Sequence, residues 1–328
     1  MKVSFYFLWP NSNGDQSAHV IQYINATIRL LLQYLMQTKH KAGFVSIIGK
    51  PNVGKSSLMN KLVGENLSII TAKAQTTRHR IMGILNGEDF QIVYSDTPGL
   101  LEPKYELQQA MMSYVKVSLE DADLILLIVE LEEKYDELLF ERFQKFKTPI
   151  VLLINKIDLG KGSQVNDKMA YWKNLIKTEV IIPVSARTGE NLDQVLAAIR
   201  KYLPEHPGYY PKDDLTDRSE RFFAAEIIRE KIFLNYEQEI PYSSEVSIES
   251  FKEEEAIIRI RATIYVERDS QKGILIGKAG SSLKKVGTEA RKDLEKFFGK
   301  KIFLETHVKV ADNWRKENLK LKHFGYLE

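Results

Sequence analysis

The chain of 328 residues has no cysteine. Disulfide frameworks, cysteine-ligated zinc and thiol catalysis are excluded, and a reducing compartment suits the sequence. No run of about 18 uncharged apolar residues occurs, so no transmembrane helix is expected. The most apolar N-terminal stretch, Ile21 to Met36, carries Arg29 and two glutamines. No small-residue cleavage site follows it, which makes it a poor secretory signal. Internal repeats and low-complexity tracts are missing. So is a bulk excess of charge: 47 Lys+Arg stand against 44 Asp+Glu, net +3. The charge is nevertheless segregated. Residues 211–270 hold 9 basic and 15 acidic side chains, whereas residues 271–328 hold 14 and 7. A basic block of this kind is either a solvated helix face or a polyanion surface, and only a nucleic-acid motif inside it favours the second.

A length of 328 residues implies two domains, since a single core rarely grows beyond roughly 250 residues. From Phe44 to about Tyr202, short apolar runs (FVSIIG, FQIVYSD, LILLIVE, PIVLLIN, VIIPVSA) alternate with amphipathic stretches. That alternation predicts an α/β domain with a mainly parallel sheet and crossover helices, whose ligands sit at the carboxyl ends of the strands. Three of the ten prolines, Pro204, Pro207 and Pro211, then interrupt the periodicity. The expected organisation is a domain over 41–203, a linker over 204–219 and a second domain over 220–328. The second domain reads α-β-β-α-α-β and ends in an aromatic and basic tail containing Trp314, Phe324 and Tyr326. The tail could meet RNA, protein or lipid headgroups, but a helix packed on its own domain is the simpler expectation.

Four motifs fall at successive strand ends. Gly49-Lys50-Pro51-Asn52-Val53-Gly54-Lys55-Ser56-Ser57 fits Gly-x-x-x-x-Gly-Lys-Ser between a strand and a helix. Its glycines let backbone N–H groups wrap an anion at a helix N-terminus. Lys55 is suited to the β- and γ-phosphates, and the Ser56 hydroxyl to Mg²⁺. Asp96-Thr97-Pro98-Gly99 ends the strand FQIVYSD. Asp96 can hold Mg²⁺ through water, and the Gly99 N–H can sense the γ-phosphate. Asn155-Lys156-Ile157-Asp158 selects the base. The Asp158 carboxylate accepts both guanine donors, N1 and N2, a pair that adenine lacks. Asn155 is expected to bridge base and loop, the Lys156 stem to cover the base, and the backbone of Ser185-Ala186-Arg187 to meet the guanine oxygen. GTP rather than ATP is the implied ligand. Many small GTPases carry a water-orienting glutamine after the DxxG glycine; here that position is Leu100, so slow hydrolysis or an outside activator is expected. Gln108 and Gln109 are expected on a helix surface. Asn52 either helps hold a potassium ion beside the phosphates or makes a loop-stabilising hydrogen bond.

His40 to Ile84, with Gln75-Thr76-Thr77-Arg78-His79-Arg80 inside it, and Thr216 to Lys231 resemble the Era family of bacterial ribosome-assembly GTPases. The resemblance runs from Thr38 to the C-terminus. It implies a Ras-like P-loop GTPase domain followed by an α+β type II KH domain. Gln75 to His79 then form switch I, with Thr77 favoured over Thr76 to close over Mg²⁺. In the KH reading, Gly277-Lys278-Ala279-Gly280 is the G-x-x-G loop that clamps about four nucleotides, with Ile276 on its apolar wall. Lys278, Lys284, Lys285 and Arg291 are expected at phosphates. The resemblance further implies the 3′ end of small-subunit ribosomal RNA and the 30S subunit as partners. It implies a cytoplasmic monomer that binds no DNA and can contact the inner membrane peripherally. A GTPase whose main partner is a membrane or protein, with the KH-like unit as scaffold, stays open. Residues Met1 to Leu35 match nothing in the family. The segment 1–40 reads as a non-conforming leader; because Met36 stands eight residues before Phe44, translation is expected to begin there, with Met1 to Leu35 a misassigned start.

Overall fold

The structure is a computed structural model that describes residues 40–137, 147–178 and 180–327. The expected N-terminal leader lies outside the described residues.

The first sheet has the order β2-β3-β1-β4-β5-β6. Its strands are β1 (Lys41–Gly49), β2 (Ile81–Asn86), β3 (Phe90–Asp96), β4 (Leu124–Glu130), β5 (Ile150–Asn155) and β6 (Val180–Pro183). All neighbours are parallel except β2 and β3. The central strands are apolar on both faces because helices cover both. Val45, Ile47 and Ile48 of β1 and Leu126 and Leu127 of β4 are fully buried. Helices α1 (Lys55–Val63), α2 (Glu106–Glu120), α3 (Gly162–Lys173) and α4 (Leu192–Tyr202) supply that cover. The sequence pattern did not reveal β2. It is an edge strand with Gly83 in its middle, and its place is set by pairing rather than by its own alternation. The proline-rich segment is laid along that edge: Leu215 O accepts from Ile84 N at 2.8 Å and Tyr210 O from Gln91 Nε2 at 2.8 Å.

The second sheet, β7-β8-β9, comprises β7 (Glu245–Glu253), β8 (Ile257–Val266) and β9 (Lys301–Val310). Strand β7 is antiparallel to β8, and β9 is parallel to it. Alternation in β8 turns Ile258, Ile260, Ala262 and Ile264 inward. They pack against α5 (Glu220–Asn235) and α8 (Ser281–Phe298), while Arg259 and Arg261 stay outside. The short helices α6 (Ile240–Ser243) and α7 (Asp269–Ile276) complete this layer, and α9 (Asn318–His323) lies in the tail.

The tail corrects one expectation. It does not pack only on its own domain: Trp314, Leu321 and Tyr326 form a buried cluster with Leu107, Ala110 and Met111 of α2 in the first domain. Tyr114 of α2 donates its hydroxyl to the carbonyls of Gly325 and Tyr326 at 3.0 and 3.1 Å. Aromatic side chains spaced along a basic tail carry no mark of which surface they bury against.

Candidate nucleotide site and nucleic-acid interface

The carboxyl ends of β1, β3 and β5 converge on a cleft of about 560 Å³. Its phosphate end is lined by Pro51, Asn52, Gly54, Lys55, Ser56, Ser57 and Gly99. Gly54 turns the chain into α1 at φ 101°, and a Cβ there would lie 2.2 Å from Asn155 Nδ2. Only glycine fits such a left-handed, crowded position. Lys55 is buried, and its Nζ donates to Lys50 O at 2.8 Å and Gly49 O at 3.1 Å. Burial lowers its pKa to about 8, against the pull of Asp96 and Glu133. Ser56 Oγ donates to Asp96 Oδ2 at 2.7 Å and lies 2.9 Å from Thr77 Oγ1. Thr76 instead turns away, its hydroxyl bonding Lys73 O at 2.7 Å and Thr71 Oγ1 at 2.6 Å. Asp96 Oδ1 is buried with no hydrogen-bond partner, and burial raises the carboxyl pKa. One unpartnered carboxylate oxygen beside two hydroxyls is a hard donor set. It fits Mg²⁺, which keeps waters and takes few protein ligands. Among the described residues, no group of three or more His, Cys, Asp or Glu is arranged to hold a metal.

At the base end, Asn155 ties three loops together. Its Nδ2 donates to Val53 O at 2.7 Å, and its Oδ1 accepts from Ala186 N at 2.9 Å. Asp158 lines the cleft, with Ser185 Oγ donating to its Oδ1 at 2.6 Å and Arg187 against its Oδ2. The Lys156 ammonium is drawn to Glu130 at 2.6 Å, which lays its stem along the cleft wall. The side chains of Lys50, Val53 and Thr97 turn from the cleft. Val53 sits in the core, Thr97 donates to Ile47 O at 2.9 Å, and Lys50 faces Glu133 and Asp136. Pro98 is buried, and Leu100 donates its N–H to Gly49 O at 3.0 Å. Asn52 Nδ2 donates to Ala72 O at 2.8 Å, the loop bond of the two readings. Gln109 is exposed, but Gln108 is not on the surface: it is buried and accepts from Lys104 N at 2.8 Å. Ile69, Ile70, Thr71, Ala72 and Leu159 also line the cleft and were missed, because an apolar loop sequence looks like core.

Successive residues of the switch segment face opposite ways. Thr77 points to Ser56, whereas Arg78 is fully buried in the second domain. The Arg78 guanidinium donates to Ser244 O, Pro241 O and Tyr242 O at 2.8–3.1 Å and to Glu245 Oε2 at 2.9 Å. His79 stacks on Tyr326 at 4.3 Å. Burial and the nearby Arg218, Arg229 and Arg78 hold His79 well below the usual histidine range, so its ring is neutral. Tyr326 OH donates to Glu245 Oε2 at 2.6 Å, closing a buried Arg78–Glu245–Tyr326 unit. Gln75 lines the cleft and accepts from Tyr105 OH at 3.1 Å. No local pattern marks these long-range partners.

Helix α7 ends at Gly277 (φ 72°), and α8 starts after Gly280 (φ 77°). A Cβ on Gly277 would meet Ser282 Oγ at 2.2 Å. Lys278, Ala279, Lys284 and Lys285 are exposed around this turn, and Ile276 is half-buried. Ile274, two residues before Ile276 on α7, is 52% exposed. Arg291 pairs with Glu295 at 3.1 Å along the helix, as a solvated face does.

A phosphate loop, a guanine-type base corner and a G-x-x-G turn on a three-stranded α/β layer define a P-loop GTPase joined to a KH domain. Residues 44–156 match the family described as 50S ribosome-binding GTPase, and residues 239–315 match the KH domain. The chain is 49% identical to GTPase Era of Syntrophus aciditrophicus over 88% of its length and 96% of that protein. It is 43% identical to GTPase Era of Staphylococcus haemolyticus over 89% and 99%. Among solved structures, Era in complex with MgGDPNP and nucleotides 1506–1542 of 16S ribosomal RNA superposes with a TM-score of 0.85 at 40% identity, covering 88% of this chain and all of that one. An Aquifex aeolicus Era variant bound to GDP and AlF4⁻ gives 0.84 at 40% identity with the same coverage. The chain belongs to the GTPase Era family.

Proposed function

We propose that the protein is a GTP-operated switch that grips the 3′ end of small-subunit ribosomal RNA and assists 30S assembly. The observation that carries this reading is that Thr77 reaches the phosphate site while its neighbour Arg78 is locked into the KH domain. Lys55 holds the β- and γ-phosphate oxygens, and the Gly49–Ser57 backbone cradles them. Ser56, Thr77 and, through water, Asp96 hold Mg²⁺. When bound, Mg²⁺ neutralises charge that builds on the bridging phosphate oxygens. The Gly99 N–H reports the γ-phosphate, which fits the approach of its loop to Pro51. Asn155, Lys156, Asp158 and the Ser185–Arg187 backbone select guanine. Asn52 keeps its amide nitrogen on Ala72 O, and its side-chain oxygen would hold a potassium ion that adds positive charge beside the phosphates. Leu100 positions no water, so intrinsic turnover is slow.

The domains are assigned as 41–203, with a linker over 204–219 and the KH unit over 220–328. RNA phosphates meet Lys278, Lys284, Lys285 and Arg291, and bases stack over Ile276. The protein acts as a cytoplasmic monomer with peripheral contact at the inner membrane face. No helix among the described residues is long and apolar enough to cross a membrane.

Crosslinking of the GTP-loaded protein in cells, followed by sequencing of the attached RNA, tests this reading. Reads should pile up at the 3′ end of the small-subunit RNA and vanish in the Gly277→Asp/Gly280→Asp variant. RNA binding untouched by that double change would instead favour the scaffold reading.

A further inference from the structure

The segment just before switch I reaches helix α7, which leads into the G-x-x-G loop, through one tyrosine. Lys73 lies in the loop between α1 and β2, and its main chain is bound to the hydroxyls of Thr76 in switch I and of Thr71 just before it. Thr76 Oγ1 donates to Lys73 O at 2.7 Å, and Lys73 N donates to Thr71 Oγ1 at 3.2 Å. The Lys73 ammonium crosses to the KH domain and caps the C-terminus of α5. It donates to Phe233 O and Tyr236 O, both at 2.6 Å, and to Glu237 Oε1 at 3.0 Å. A cation on free carbonyls at the negative end of a helix is a favourable pairing. Tyr236 is the capping residue itself, its N–H bonded to Ile232 O. The other end of Tyr236 reaches α7: its hydroxyl donates to Leu275 O at 2.6 Å, two residues before Gly277. Tyr236 is 7% exposed and Leu275 is fully buried, so neither contact is a loose surface pairing.

We infer that Lys73 and Tyr236 are positioning residues that link the nucleotide state of switch I to the G-x-x-G loop. A shift of the 71–77 segment pulls Lys73 from the end of α5. Tyr236 then moves with that helix end, and with it the Leu275 carbonyl that fixes the last turn of α7. The linkage is a physical chain of three hydrogen-bonded groups between two sites. Arg229 also meets this segment, donating to Thr76 O at 2.6 Å. It is fully buried and ion-paired with Glu226, so its loss would damage the fold itself. Lys73 keeps a fifth of its side-chain surface in water and can be replaced more gently.

The inference rests on the proposed RNA-binding function, and its test separates the two. The affinities of a non-hydrolysable GTP analogue and of GDP are measured with and without a single-stranded RNA copying the 3′ end of small-subunit ribosomal RNA. Linkage requires that RNA tighten the GTP analogue, relative to GDP, by the factor by which the analogue tightens RNA. In the unmodified protein that factor should be at least about fivefold. Lys73→Met and Tyr236→Phe should each bring it down to less than about twofold, and the double variant should match either single one, since both act on one chain of contacts. Without RNA, both variants should bind nucleotide as the unmodified protein does, and Lys73→Arg should restore the factor. A factor unchanged in both single variants overturns the inference, as does an equal loss of nucleotide affinity without RNA. An unmodified protein that binds RNA with no nucleotide preference overturns it too, while leaving RNA binding intact. One that binds no RNA removes the function and the inference together. Should Tyr236→Phe fail to fold, Lys73→Met alone decides.

Discussion

Raising the pH from 7 to 9 should weaken nucleotide binding about tenfold through Lys55. Lys55 is 6% exposed, with its ammonium on two backbone carbonyls. Burial lowers its pKa from 10.5 to about 8, and Asp96 and Glu133 oppose the shift. Phosphate oxygens favour the charged form, so the pKa in the complex lies above that of the free protein. Below pH 8 both states carry the proton and affinity is flat. Above it, the free protein has lost the proton and binding must take one up, which lowers affinity by up to about tenfold per pH unit. The same shift makes the charged lysine cost the nucleotide-free fold about 3 kcal/mol at pH 7. That cost is relieved as the pH rises from 8 towards 10.5. Displacement of a fluorescent GDP, followed from pH 7 to 9, reads the effect. Lys55→Arg is the control, because its guanidinium stays protonated throughout and its profile should be flat. A flat profile in the unmodified protein, or an equal fall in Lys55→Arg, refutes the reasoning.

Asp158→Asn should exchange guanine preference for xanthine, since the N2 donor loses its acceptor; competition of GDP against XDP reads this, and unchanged GDP affinity counts against the base-site assignment. Arg78→Ala should lower stability by about 3–5 kcal/mol, because it strands the Glu245 carboxylate in a buried site. Denaturant unfolding measures that loss, and Arg78→Lys should recover little, since a point charge cannot serve four acceptors. The purified protein alone should turn over GTP at less than about 0.1 per second, given Leu100 at the position where many small GTPases carry a water-orienting glutamine; phosphate release at many per second would contradict this.

The nucleotide site was legible because each of its parts is a contiguous motif at the end of a buried strand, and Lys55, Asp96, Asn155 and Asp158 all lie where spacing puts them. The G-x-x-G loop was legible for the same reason once its α-β-β-α-α-β setting was seen. Strand β2 was not, since a short edge strand with a central glycine gains its order from β3. The wiring between the domains was not either. Lys73 and Phe233 are 160 residues apart, and Arg78 and Glu245 are 167 apart. Before folding these are ordinary charged and aromatic residues. The family resemblance favoured Thr77 over Thr76 beforehand, and the two hydroxyls do point different ways: Thr77 Oγ1 lies 2.9 Å from Ser56 Oγ, while Thr76 Oγ1 donates to Lys73 O.

The most direct test titrates an RNA oligonucleotide copying the 3′ end of small-subunit ribosomal RNA with the protein loaded with a non-hydrolysable GTP analogue, and again loaded with GDP. Binding should be tight in the first titration and at least about fivefold weaker in the second. Equal affinities in the two, or no binding in either, would contradict a GTP-operated grip on RNA.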